Sequence, residues 1–247
     1  MIPASGSAPA RGAWLFTLRL ALCLAATVPP AWMAVRVLPA GRAVDRLVRR
    51  WSRLIVRLSG CRPRVLGCPP SDGPVVFASS HSSYLDSVVL MASMPADFRF
   101  VAHREALAWP VIGVALRKAG HIIVDRRSAA SRRACYRQMR QTLLAGRSVL
   151  VFPEGTIRAH DEPGRLHAGA FRAAATTGCP LVPVVVRGTR QILPRPFRLP
   201  RRSPIDVHVY PAVAVASRTP PDVDRARREV AGLMSVAPAA ALAGPAD

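Results

Sequence analysis

The chain has 247 residues, half of them hydrophobic, and 35 Lys+Arg against 14 Asp+Glu give it a formal net charge of +21. That length allows one large domain with a short appendage, and the apolar content excludes a disordered chain. The positive charge is almost wholly arginine, Lys118 being the only lysine, and it fits an anionic partner: nucleic acid, acidic lipid headgroups or an acidic carrier protein. Five cysteines (Cys23, Cys61, Cys68, Cys135, Cys179) show no C-x-x-C or Cys/His ligand spacing. Neither a disulfide framework nor a zinc site is expected, and the bulk of the chain should face a reducing compartment.

In chain order, Met1 to Gly12 reads as a loose leader, and Trp14 to Leu38 is nearly all apolar, interrupted by Arg19, Pro29-Pro30 and Arg36. About 20 apolar residues cross a bilayer, so the length suffices, but two central prolines argue against one straight helix. A kinked span or a pair of short helices entering one leaflet fits. A signal peptide is the rival reading, because Arg11 precedes the apolar stretch; Arg19 and the lack of a small-residue cleavage site argue against it. Val44 to Leu58 has a helical period, with Val44, Leu47, Val48, Trp51, Leu54, Ile55 and Leu58 on one face and Arg46, Arg49, Arg50, Arg53 and Arg57 on the other. Such a basic amphipathic helix suits an anionic membrane surface, or equally a domain core.

From there strand-like and helix-like segments alternate. Strands are expected at 64–66, 75–78, 98–102, 122–124, 148–152, 181–186 and 204–210, and helices at 83–94, 110–118, 128–144, 168–176 and 222–234. The alternation predicts an α/β domain with a mixed, mainly parallel sheet flanked by helices. Residues 1–60 are expected to form a membrane-anchoring and basic helical segment, 61–236 the domain, and 237–247 a disordered Ala/Pro-rich tail.

Two stretches carry chemistry. In VVFASSHSSYLD (75–86) a buried strand stops at serines, and Ser83-x-x-Asp86 resembles a capping box that opens a helix. His81 and Asp86 are five apart, which on a continuous helix is about 140° around the axis. They can meet only if the chain bends between them. The carboxylate would then hold one imidazole nitrogen, aim the other at a substrate hydroxyl, and stabilise the imidazolium formed on proton uptake. The second stretch, SVLVFPEGTIR (148–158), runs a hydrophobic strand into Pro153-Glu154-Gly155-Thr156. Gly155 lets a substrate approach the backbone, Thr156 and backbone N–H groups can bind phosphate oxygens, and Arg158 can add charge.

HxxxxD followed about 70 residues later by FPEGT resembles the glycerolipid acyltransferase family, whose best-known members are the 1-acylglycerol-3-phosphate O-acyltransferases. The resemblance runs in order from Val75 to Val213, through His81 to Asp86, Gly120 to Arg126, Phe152 to Thr156, Gly169-Ala170-Phe171, Leu181 to Val184 and Arg187-Gly188-Thr189. Departures are Ser80 where the family has Asn, Ile157 where it has Arg, and His103 and His167 where lysine is frequent. The resemblance implies a membrane enzyme that moves a fatty acyl group from acyl-carrier protein or coenzyme A to the hydroxyl of 1-acylglycerol 3-phosphate, forming phosphatidic acid, with the active site on the cytoplasmic side of the cell membrane. His81 would be the general base and Asp86 its orienting partner, while Arg126, Glu154, Gly155, Thr156 and Arg158 would bind the acceptor. Glu154, itself an anion, is expected to orient Arg126 or another cation.

An ordinary imidazole, with a pKa of about 6.5, can serve as base near neutral pH. No metal or redox cofactor is implied. No G-x-S-x-G elbow supports a serine nucleophile, and no stacking aromatics interleave the basic residues as single-stranded nucleic-acid binding needs. Another lysolipid acceptor, such as a lyso-ornithine lipid, and a catalytically silent lipid-binding protein stand as the alternatives.

Overall fold

The computed structural model describes residues 8–70, 72–95, 97–157, 164–194 and 199–235. Its centre is a seven-stranded sheet of β1 (Pro63–Leu66), β2 (Val76–Ser79), β3 (Phe98–His103), β4 (Ile122–Val124), β5 (Ser148–Val151), β6 (Leu181–Arg187) and β7 (Ile205–Val209), in the order β1-β7-β6-β2-β5-β3-β4. The run β6-β2-β5-β3-β4 is parallel throughout, as is β1 with β7, and β7 is antiparallel to β6. The expected mixed, mainly parallel sheet is therefore present. Since β6, β2, β5, β3 and β4 point the same way, the loops that follow them gather along one edge.

Central strands β2 and β5 are buried at every position because helices cover both faces. Alternate residues serve the two sides. Val76, Ala78, Val149, Val151 and Val185 meet α5 (Ala129–Leu144), α6 (Gly169–Thr177) and α8 (Pro220–Ser235) through Met139, Phe171 and Val230. Val75, Phe77, Leu150, Val182 and Val184 meet α1 (Ala8–Val37), α2 (Arg42–Ser59) and α3 (Leu85–Ser93) through Phe16, Val48 and Leu90. Helices α4 (Pro110–Lys118) and α7 (Thr189–Ile192) and a 3₁₀ turn at Arg104–Ala108 complete the described elements. The tail expected to be disordered lies outside the described residues, as do residues 1–7 of the leader.

Two N-terminal expectations change. Helix α1 begins at Ala8, within the stretch read as loose, and passes through Pro29 and Pro30 as one helix of 30 residues rather than two. The prolines remove two ladder donors, but packing outweighs that loss. Ala13, Phe16, Cys23, Thr27, Ala31 and Val35 form a buried stripe along its whole length. Its polar interruptions are used locally: Arg19 Nε donates to the Leu58 carbonyl at the end of α2 (2.7 Å), and Lys118 Nζ donates to the Arg36 and Leu38 carbonyls (2.6 and 2.8 Å) at the end of α1. The other side of α1 is apolar and open to solvent, at Trp14, Leu15, Leu18, Leu22 and Met33.

The buried face of α2 is also rotated from the expected one. Val44, Asp45, Ser52, Ile55, Val56 and Ser59 are inward, while Leu54 and Leu58 are exposed among the arginines. Arg49, expected on the solvated side, lies over the Phe98 ring (4.8 Å) and donates to Asp45 (3.3 Å) and to the Met94 carbonyl (3.2 Å).

Beside this network sits His121, whose Nδ1 accepts the Phe100 backbone N–H at 3.1 Å. Burial, and then the guanidinium groups of Arg99 and Arg49, push its pKa down to about 3. The folded protein thus holds it neutral where the unfolded chain, with an ordinary imidazole, takes a proton. Stability from this source is complete above about pH 6.5 and falls as pH drops towards 3, by up to about 1.4 kcal/mol per pH unit. In urea unfolding at pH 7 and pH 5, His121→Gln should lose less stability between the two pH values than the native chain; equal losses would refute this.

Candidate active site

His81 follows β2, in a loop that bends sharply before α3. The bend brings His81 Nδ1 within 3.0 Å of Asp86 Oδ2. A carboxylate oxygen only accepts, so Nδ1 is the donor, and in the neutral ring Nε2 is the nitrogen with the free lone pair. The same Oδ2 accepts the backbone N–H groups of Ser82 (2.8 Å) and Ser83 (2.9 Å), which holds the bend closed. Only half of the expected capping box forms. Asp86 reaches back to Ser83 N, but Ser83 Oγ takes the Leu85 N–H at 3.3 Å and helix α3 starts two residues late.

Neighbouring strands complete the surroundings. From β5, the Phe152 ring stacks on the His81 imidazole at 3.9 Å and 17°, and Glu154 Oε1 accepts the His81 backbone N–H at 3.2 Å. Glu154, expected to orient Arg126 or another cation, thus also holds the backbone of the histidine loop. The cause is simple: β2 and β5 are adjacent and end in register, so the two loops meet. At the start of α7, just after β6, Thr189 Oγ1 donates to Asp86 Oδ1 at 2.5 Å, and within β6 the Val186 N–H donates to Ser80 Oγ at 3.0 Å. Ser80, which stands where the resemblance suggested Asn, thus ties β2 to β6.

Of the remaining predicted binding residues, the structure describes Arg126, Gly155 and Thr156. Gly155 has φ +79, and a Cβ there would sit 2.9 Å from His167 Cδ2 and 3.2 Å from Arg126 Nη1. The close approach requires glycine. Burial and the guanidinium groups of Arg126, Arg165, Arg227 and Arg132 hold His167 below the ordinary imidazole value. The arginines around His167 thus make the surroundings of Gly155 cationic. Burial likewise lowers the Arg126 pKa, and Arg132 Nη1 donates to the Arg126 carbonyl at 2.5 Å. Thr156 is exposed at the rim. Arg158 lies outside the described residues. His103, at the end of β3, is 3.6 Å from Glu105.

Chemically, the arrangement offers a base aimed by a buried carboxylate, with a cationic group of side chains one residue beyond the glutamate that grips the base's backbone. Sequence reading did not assign Phe152 or Thr189 to this site, although both stand in quoted motifs. Thr189 is fully buried and supplies the second oxygen of Asp86 with its donor. A hydrogen bond to a charged group is worth roughly 1.5–3 kcal/mol. Thr189→Val should therefore cut kcat by about tenfold with little change in acceptor KM, and Thr189→Ser should restore it; full activity in the valine variant would remove Thr189 from the site.

Comparisons with known proteins point one way. A family model described as Acyltransferase matches residues 62–187. A Chlamydomonas reinhardtii 1-acyl-sn-glycerol-3-phosphate acyltransferase is 31% identical over 192 residues, covering 74% of this chain and 55% of the relative. The human 1-acyl-sn-glycerol-3-phosphate acyltransferase alpha is 32% identical over 213 residues, covering 81% of this chain and 75% of the relative. The chain thus spans about half the length of the algal relative and three quarters of the human one. The crystal structure of PlsC, the 1-acyl-sn-glycerophosphate acyltransferase of Thermotoga maritima, superimposes with a TM-score of 0.69 at 16% identity, covering 91% of this chain and 96% of that one, which shows a shared fold.

Proposed function

The chain belongs to the glycerolipid acyltransferase family, and on that premise we propose that it transfers a fatty acyl group from a thioester donor to the hydroxyl of a 1-acylglycerol 3-phosphate, forming phosphatidic acid. The observation that carries this reading is the approach of the Arg126 guanidinium to Gly155, one residue beyond the Glu154 that holds the His81 backbone, beside the His81–Asp86 pair. A phosphate seated there places a glycerol hydroxyl near His81 Nε2. His81 takes the hydroxyl proton, the oxygen attacks the thioester carbonyl, and the carbon–sulfur bond breaks. The thiolate leaves with the proton returned from the imidazolium. Asp86 fixes the tautomer and stabilises that cation. No acyl-enzyme is needed. Thr156 and Arg158 are assigned to the phosphate end with Arg126, and Glu154 and Gly155 to the turn that carries it.

A membrane seat for the protein is supported by α1, the described helix that is long and apolar enough to cross a membrane, at Gly12–Val37. Its buried stripe runs from Ala13 to Val35 against the domain. A helix held to the domain along its whole length suits lying in one leaflet, apolar side down, with the exposed Leu54, Leu58 and arginines of α2 at the headgroups. Donors of acyl thioesters are cytoplasmic, so the active site is assigned to that side.

The test is acyl transfer by the reconstituted full chain to 1-acylglycerol 3-phosphate, glycerol 3-phosphate and a lyso-ornithine lipid. Highest kcat/KM on the first is expected, with Arg126→Ala raising its KM by about tenfold or more, the loss of a charge-assisted contact. Preference for an acceptor without phosphate would overturn the acceptor, and no transfer to any would favour a silent lipid-binding protein.

A further inference from the structure

Helix α5 differs in charge from α8, the other long helix of its layer. Its sequence, AASRRACYRQMRQTLL, has four arginines and no acidic residue, whereas α8 on the same layer mixes Asp222, Asp224 and Glu229 with Arg225, Arg227 and Arg228. Cys135, Met139 and Leu143 face the sheet. On the opposite side, Arg133, Arg137 and Arg140 are exposed, and the same line ends at Leu144, 64% exposed. At 100° per residue these four positions fall within an arc of about 60° and span roughly 17 Å of helix. None of the three arginines makes an ion pair among the described residues.

Placement says what could use this stripe. Helix α5 packs on the sheet face opposite α1 and α2, so the proposed membrane seat and the arginine stripe are on different sides of the domain. The stripe is therefore turned towards the aqueous phase rather than the bilayer. Its N-terminal end is at the site: α5 opens directly after Arg126, and Arg132 Nη1 donates to the Arg126 carbonyl. A nucleotide-sized donor needs a few contacts clustered at one spot. A stripe this long with an apolar end suits a protein whose surface is acidic along a helix.

We infer that the exposed face of α5, formed by Arg133, Arg137, Arg140 and Leu144, docks an acidic acyl-carrier protein and presents its tethered thioester across the Arg126 end of the helix to His81. The inference rests on the acyl-transfer reading above and assigns the donor of that reaction.

The experiment compares kcat/KM for acyl-carrier-protein and acyl-coenzyme A thioesters of one chain length, using the full protein in vesicles and saturating acceptor. Arg133→Glu/Arg137→Glu/Arg140→Glu should lower the value for the carrier-protein donor by at least about tenfold and flatten its dependence on salt. The coenzyme A value should stay within about twofold, as expected where no contact is removed. The milder Arg133→Gln/Arg137→Gln/Arg140→Gln variant should show the same selectivity at smaller size, which guards against a charge-reversed protein that fails to fold. Equal loss with both donors in the glutamine variant, no loss with either, or a native protein that does not use the carrier-protein donor would each overturn the inference. Loss of vesicle binding in co-sedimentation would overturn it in favour of a lipid surface. Native activity with coenzyme A alone would leave the acyl-transfer reading standing, whereas inactivity with both donors would remove that reading itself.

Discussion

His81→Ala should abolish measurable acyl transfer with either donor while leaving the protein folded. General base catalysis is worth about 10²–10⁴ in rate, and here the imidazole is also the group that must hold the incoming hydroxyl in line. Its loss should appear almost wholly in kcat, because the groups at Gly155 proposed to bind the acceptor's phosphate, Arg126 first, are other residues. The fold should tolerate the change: His81 is a loop residue whose ring contacts are one hydrogen bond to Asp86 and a stack on Phe152. Steady-state kinetics with an isothermal unfolding curve on the same sample would check both parts. Residual activity within about tenfold of the native enzyme would refute the general-base assignment.

Asp86→Asn should have an effect of similar size for a different reason, and it should also cost stability. Asp86 is fully buried and receives four donors: His81 Nδ1, the Ser82 and Ser83 backbone N–H groups on Oδ2, and Thr189 Oγ1 on Oδ1. An asparagine offers one acceptor oxygen and one NH₂. If the oxygen keeps the loop N–H groups, the NH₂ faces Thr189, whose hydroxyl can turn to accept. If the amide turns over, the NH₂ faces three donors at once. The first arrangement preserves the loop but removes the charge that stabilises imidazolium. The second leaves buried donors unmet at about 1–3 kcal/mol each. The expected result is a loss in kcat of about 10³-fold or more, with unfolding shifted to lower denaturant. Asp86→Ala should lose the bend altogether and destabilise further. Near-native kcat in Asp86→Asn would mean that the carboxylate only closes the loop.

Particular residues show how far a linear reading reached. The strand and helix alternation was legible because each segment carries its own period, and the parallel sheet followed from it. The pairing of His81 with Asp86 was legible as a condition: five residues apart, they meet only across a bend, and the serines supply one through Ser82 N and Ser83 N. Gly155 was legible because a strand-ending turn needs a residue that tolerates positive φ, here +79. The antiparallel β7 and the short α7 were not predicted, since strand direction and a single helical turn leave no period in a sequence.

What only the tertiary structure decided has one physical origin, which is register between strands distant in sequence. Thr189 meets Asp86 across 103 positions, Glu154 meets His81 across 73, and Arg126 reaches Gly155 although β3 separates β4 from β5. Each contact depends on which strands are neighbours and where they end. The face of α2 was undecided for a related reason. Its period announces two sides, but Arg49 turned inward because Phe98, Asp45 and the Met94 carbonyl offered it a ring, a charge and an acceptor. By itself the sequence determined the elements, the family resemblance and the reacting pair. The packing of remote segments determined what grips that pair, because a side chain's partners are set by the space around it and not by the chain on either side.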